Sequence, residues 1–199
     1  MIRNLRLAAL SLGFLLAAPA AHAACGVETP RDDLTYEDAQ AIYDCLKDDM
    51  LAGYQKGSKR WIPADFVKDY RGWTAASTLP ADPGVHGERF LLTFVNAVGA
   101  EAYLKYADDG SAMPAGTVIA KESFAINKKS QGKAGPLFLM QKVEAGTSPQ
   151  TNDWYYMAVA PNGTPMAVNV VKACHECHSA FEDQDSLGYP VEEVRVGAN

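Results

Sequence analysis

With 199 residues, 48% of them hydrophobic and 21% charged, the chain is long enough to bury one ordinary core. A formal net charge of −6 argues against nucleic acid or an anionic membrane as partner, and permits a basic electron-transfer partner. No stretch beyond residue 23 has the length of a transmembrane helix, which predicts a soluble mature protein with no membrane contact.

Residues 1–23 read as a secretory signal peptide. Arg3 and Arg6 form a basic start, Leu7 to Ala18 is an apolar run too short to span a bilayer, and Ala21-His22-Ala23 is a small-x-small cleavage site. Cys25 follows the cut, but His22 stands where a lipoprotein signal wants an aliphatic residue. Loss of the two arginines leaves 16 basic against 24 acidic residues.

Residues 24–60 are predicted to form an N-terminal helical extension and 61–199 the main domain. Thr35-Tyr36-Glu37-Asp38 is a capping box with Asp in place of Glu, opening a helix to about Gln55 that Gly57-Ser58 ends. Ala39, Ile42, Tyr43, Leu46 and Met50 recur at helical spacing and make its buried stripe. Pro63 to Tyr70 predicts a short helix and Leu79 to Gly87 a loop. Strands are expected at Arg89–Asn96, Thr117–Ile126, Leu137–Val143 and Trp154–Ala160, with a helix at Ala97–Tyr106. Gln131 to Gly135 and Ala145 to Asn152 read as loops, and Met166 to Phe181 as a region containing a last helix. The fold class that follows is α+β, an antiparallel β-sheet with flanking short helices.

The stretch that carries chemistry is Cys174-His175-Glu176-Cys177-His178. C-x-x-C-H is the spacing at which two thiols add across the vinyl groups of one haem, with the following histidine, His178, as proximal iron ligand. A dithiol redox pair or half a zinc site uses the same residue types. The redox pair lacks a preceding βαβ unit, and the zinc site needs two more ligands from a chain with few to offer. One covalent haem c on an exported chain predicts a periplasmic protein. With Cys174 and Cys177 so engaged, Cys25 and Cys45 remain as an even pair in an oxidising compartment. A disulfide between them closes a loop of about 20 residues, worth roughly 3 kcal/mol; two free thiols are the alternative.

Ligands for the other face of the iron are scarce. No methionine follows the motif, and Met113, Met140, Met157 and Met166 read more simply as core or strand residues. His175 sits inside the thioether loop. His86 is then the remaining second histidine, and its Gly-rich surroundings suit a satisfied or exposed side chain. The expectation is a five-coordinate iron with an open axial position, which implies chemistry or binding at small ligands.

Tyr70-Arg71-Gly72-Trp73-Thr74, then Gly116-Thr117-Val118-Ile119-Ala120-Lys121-Glu122, then Trp154-Tyr155-Tyr156 and the C-terminal haem motif together resemble the cytochrome P-460 family, over roughly 64–195. The resemblance implies an antiparallel sheet, often a homodimer. It implies either a hydroxylamine-oxidising enzyme passing electrons to a soluble redox partner, or a cytochrome c′-β-like protein that binds nitric oxide without turnover. A simple electron carrier, with His86 or a methionine as sixth ligand, is the further alternative. In the enzymes a lysine cross-links the haem macrocycle, and Lys121 occupies the matching position. On an extended strand Thr117, Ile119, Lys121 and Ser123 share one face, and Val118, Glu122 and Phe124 the other. Active members resemble one another in using a distal carboxylate, yet Thr164 to Lys172 contains no Asp or Glu, and Glu144 and Asp153 look loop-bound. Phe90, Phe94, Phe124 and Phe138 are candidates to cap an apolar pocket.

Overall fold

The structure, a computed structural model, describes residues 24–57, 61–82, 84 and 86–197. The signal sequence and Ser58 lie outside them.

The first helix, α1 (Tyr36–Tyr54), starts at the capping box read from the sequence. Thr35 Oγ1 accepts from the Asp38 amide at 3.2 Å, and the Asp38 carboxylate accepts from the Thr35 amide at 3.1 Å. Ala39, Ile42, Tyr43 and Met50 are buried, with Leu46 packed partly against the same core. The Cys25–Cys45 disulfide is formed and ties the chain ahead of α1 to the helix. A second short helix, α2 (Ala64–Asp69), runs into a 3-10 turn at Tyr70–Gly72.

Among the described residues six strands follow in sequence order as an antiparallel meander: β1 (Thr74–Ala75), β2 (Phe90–Val95), β3 (Val118–Ile126), β4 (Gly132–Lys142), β5 (Trp154–Val159) and β6 (Pro165–Val168). Between β2 and β3 the expected ten-residue helix shrinks to one turn, α3 (Ala100–Tyr103). Strand β4 begins at Gly132 rather than Leu137. Its first residues pair with Phe124 to Ile126, and the register then slips between Glu122 and Phe124. Gly135 and Pro136 occupy that irregularity, where a proline's missing donor costs no ladder bond. Ser123 Oγ donates to the Pro136 carbonyl at 2.5 Å and closes the bulge.

The C-terminal region also departs from expectation. Met166 and Val168 belong to β6, which pairs with β5 after the Asn162-Gly163 turn. Asn169, at φ 49°, ends the strand. A π-helical turn at Val171–His175, a short α4 (Glu176–His178) and 3-10 turns through Ser179–Gln184 replace one continuous helix.

The sheet has two unlike faces because its side chains alternate. Phe90, Leu92, Ala120, Phe124, Leu137 and Val159 face α1 and α2 in the larger core. The close approach of α1 to β4 depends on Gly132, where a Cβ would meet Ile42 Cγ2 at 2.4 Å. On the other face Val95, Ile119, Met140 and Trp154 pack with Tyr103, Met113 and Leu187. That second core covers only part of its face. Among the described residues no helix is long and apolar enough to cross a membrane.

Candidate functional site

The rest of that face opens into a cavity of about 470 Å³. Ile119, Lys121, Phe138 and Tyr156 form its floor on the sheet, and Cys174, Cys177 and His178 come from the C-terminal turns. Lys121 stands opposite Thr93 on β2 and Phe138 on β4, so one cross-strand row sets the centre of the floor.

Cys174 is half-buried and Cys177 exposed, and neither is in a disulfide. The intervening His175 turns aside, its Nδ1 lying 3.1 Å from the Tyr156 hydroxyl. His178 is buried, and its Nδ1 donates to the Ser186 carbonyl at 2.6 Å. A carbonyl only accepts, so that bond fixes the tautomer and leaves Nε2 with its lone pair. Burial, followed by the Lys121 charge, pushes the imidazole down to about 4, which keeps it neutral as a metal ligand requires.

The Ser186 carbonyl is itself held in place. Asp185 and Ser186 adopt left-handed backbone conformations, φ 51° and 62°. Asp185 Oδ1 accepts from Lys142 Nζ at 2.7 Å and Asn152 Nδ2 at 2.9 Å, and its Oδ2 from the Met113 amide at 2.8 Å. Trp154 Nε1 donates to the Asp185 carbonyl at 2.8 Å. No local pattern marks this corner, which long-range contacts assemble.

Lys121 is buried on the cavity face, with Nζ donating to the carbonyls of Gly188 at 2.7 Å and Leu187 at 3.2 Å. Burial lowers its ammonium to about 8. Its neighbour Glu122 points to the opposite face, as the strand alternation requires.

His86, which the sequence leaves open as a satisfied or exposed side chain or a second histidine ligand, is half-buried and lines the cavity. Its ring lies 4.9 Å from Phe138 and 6.0 Å from His178, centroid to centroid. Burial first, then the charges of Lys121 and His178, push it down to about 3. Of the four phenylalanines proposed to cap a pocket, only Phe138 lines the cavity; Phe90 stacks on Phe124 at 5.4 Å on the α1 face, and Phe94 packs on Tyr70. Asp153 is loop-bound, accepting from the amides of Gly146 and Ser148. The carboxylate that does line the cavity is Asp82, which accepts from the Tyr36 hydroxyl at 3.2 Å.

The described residues gather no group of three or more His, Cys, Asp and Glu side chains suited to a metal ion, so the half-zinc-site alternative lacks its remaining ligands. Two thiols, a neutral imidazole with one nitrogen committed, and an adjoining cavity floored mostly by apolar and aromatic side chains around Lys121 form a donor set that fits a haem.

The cytochrome P460 family model matches residues 67–187, more than half of the chain. No curated protein gives a significant match. The matched span holds Lys121, the C-x-x-C-H motif and the Asp185–Ser186 corner, and the chain therefore belongs to the cytochrome P460 family of haem-binding cytochromes.

Proposed function

We propose that this chain is a periplasmic cytochrome carrying one haem c, and that it oxidises hydroxylamine or a related small nitrogen species. The observation that carries the reading is the commitment of His178 Nδ1 to Ser186, which frees Nε2 beside a cavity lined by Cys174, Cys177 and Lys121. Cys174 and Cys177 would hold the haem through their sulfurs, and His178 would offer Nε2 to its iron. Lys121, on the cavity floor, would be the residue to modify the macrocycle. When bound, the haem supplies a redox-active iron with a position for a small ligand. Ile119, buried, and Phe138, half-buried, shield that ligand from water, and Asp82, exposed at the rim, is the carboxylate available to take a proton as electrons leave. Electrons pass to a soluble acceptor.

A second reading, capture of nitric oxide without turnover, draws on the lining itself. Asp82 is the only carboxylate among the described lining residues, and Tyr36 already occupies one of its oxygens.

Hydroxylamine turnover with an added one-electron acceptor separates the two. The test pairs that assay with mass analysis of the haem peptides from wild type and Lys121→Ala. Turnover, with a Lys121-containing haem peptide in wild type alone, is the expected result. A haem held only through Cys174 and Cys177, with no acceptor reduction, leaves the gas-binding reading in place.

A further inference from the structure

The loop between β1 and β2 is pinned at its base by two backbone bonds, Ala81 N to Leu91 O at 2.8 Å and Leu91 N to Ala81 O at 3.2 Å. Farther along, Arg89 Nη1 donates to the His86 carbonyl at 2.7 Å and fixes the turn that carries His86. Gly87 takes the left-handed φ of 75° that this turn needs, and a Cβ there would sit 2.3 Å from Arg89 Nη1. The backbone therefore aims one imidazole into the cavity, against the face of Phe138.

The partner across that cavity is His178. Two imidazoles bound to opposite sides of one metal, with metal–nitrogen bonds of about 2 Å, have ring centroids roughly 6 Å apart. The His86 and His178 centroids are 6.0 Å apart, with planes inclined by 66°. Edge-to-face ring contacts also fall in this range, and His178 lies 5.2 Å from Tyr156 and 6.4 Å from Phe181. What sets His86 apart is its nature as a ligand: among the described residues it is the one other imidazole lining the cavity that His178, Cys174 and Cys177 border.

We propose that His86 is the sixth ligand of the haem iron in the resting protein, and that it gives up this position to an incoming small ligand. The proposal rests on the haem reading above and deepens it by assigning the opposite face of the iron. The exchange involves no redox step: the imidazole lone pair leaves the iron as the lone pair of the new ligand arrives. The site is thus closed at rest and opens only to ligands able to compete with an imidazole.

The test uses the purified holoprotein, with electron paramagnetic resonance and absorption spectra of wild type, His86→Ala and His86→Met, and carbon monoxide binding to the reduced forms. Wild type is expected to be low-spin with two nitrogenous ligands. His86→Ala becomes high-spin, and added imidazole returns it to low-spin. His86→Met, which keeps a side chain able to bind iron, shows the different spectrum of a thioether ligand. If His86 holds the iron for roughly nine-tenths of the time, carbon monoxide binds wild type about tenfold more weakly than His86→Ala. A high-spin wild type, or a low-spin spectrum that survives in His86→Ala, overturns the assignment while leaving the haem reading intact. Protein whose mass shows no bound haem overturns both. Haem attachment through Cys174 and Cys177 does not depend on His86, so the two failures are separable.

Discussion

Arg71 and Glu122 form a bidentate ion pair across the α1 face of the sheet, with Nη2 at 2.5 Å from Oε1 and Nε at 3.2 Å from Oε2. The Tyr43 hydroxyl adds a third bond to Glu122 at 2.8 Å, and Arg71 also donates to the Lys47 carbonyl of α1. Glu122 is wholly buried, so this pairing is what makes its charge tolerable there. The strand alternation then turns the preceding residue, Lys121, to the cavity. Two widely separated sequence motifs are thereby joined, and their pairing sets the register of β3 under the site.

Removing one partner leaves the other charge buried and unpaired. Arg71→Met is therefore expected to destabilise the fold by about 3–5 kcal/mol. Urea unfolding checks it: the midpoint falls with little change in slope. A loss under 1 kcal/mol would mean that water reaches Glu122 from the side of the half-buried arginine.

The Cys25–Cys45 bridge spans a sequence separation of 20 and acts on the same α1 face, away from the cavity. Replacing both cysteines with serine is expected to cost roughly 3 kcal/mol, chiefly by freeing the unfolded chain. The absorption spectrum of the holoprotein should not move. A spectral change would show that α1 reaches the site through the sheet.

Much of this frame was legible in the sequence because it is local. The capping box and the buried stripe announce α1, and strict alternation places Lys121 and Glu122 on opposite faces. Strand β6 was not legible, since Met166 and Val168 are too few to distinguish a short strand from a helix start. The first half of β4 hid behind Gly135-Pro136, which reads as a loop and is a bulge. Among site residues, Asp82, Asp185 and Ser186 escaped for a different reason. Their positions depend on partners far along the chain, such as Tyr36 and Lys142, and on left-handed backbone at two non-glycine residues.

Lys121 gives the fold a pH dependence with a definite sign. Burial lowers its ammonium from 10.5 to about 8, so between those values the unfolded chain binds more protons than the folded one. Stability then rises with pH through that window. Haem-free protein with Cys174 and Cys177 replaced by serine is expected to gain stability from about pH 8 to 10.5 relative to the same protein carrying Lys121→Met. Chemical denaturation of the pair at several pH values reads the difference. A constant difference would show that the Leu187 and Gly188 carbonyls offset the cost of burial.

Asp185 is a positioning residue for His178. Its carboxylate is held by Lys142, Asn152 and the Met113 amide, and the next carbonyl along the chain receives the His178 Nδ1 proton. Asp185→Asn removes the charge opposite Lys142 and presents an amide donor where one of these donors now points. The corner relaxes, the Ser186 bond to His178 weakens, and the imidazole becomes a poorer electron donor to the iron. The oxidised state loses more than the reduced state, so the reduction potential of the holoprotein is expected to rise. The shift should be on the order of tens of millivolts, against about 59 mV for a tenfold change in a one-electron couple. Spectroelectrochemical titration at fixed pH measures it, with urea unfolding run alongside. A destabilised protein with an unchanged potential would mean that Asp185 holds the chain together without tuning His178. A raised potential at nearly native stability would place the Lys142–Asp185 pair in control of the proximal ligand.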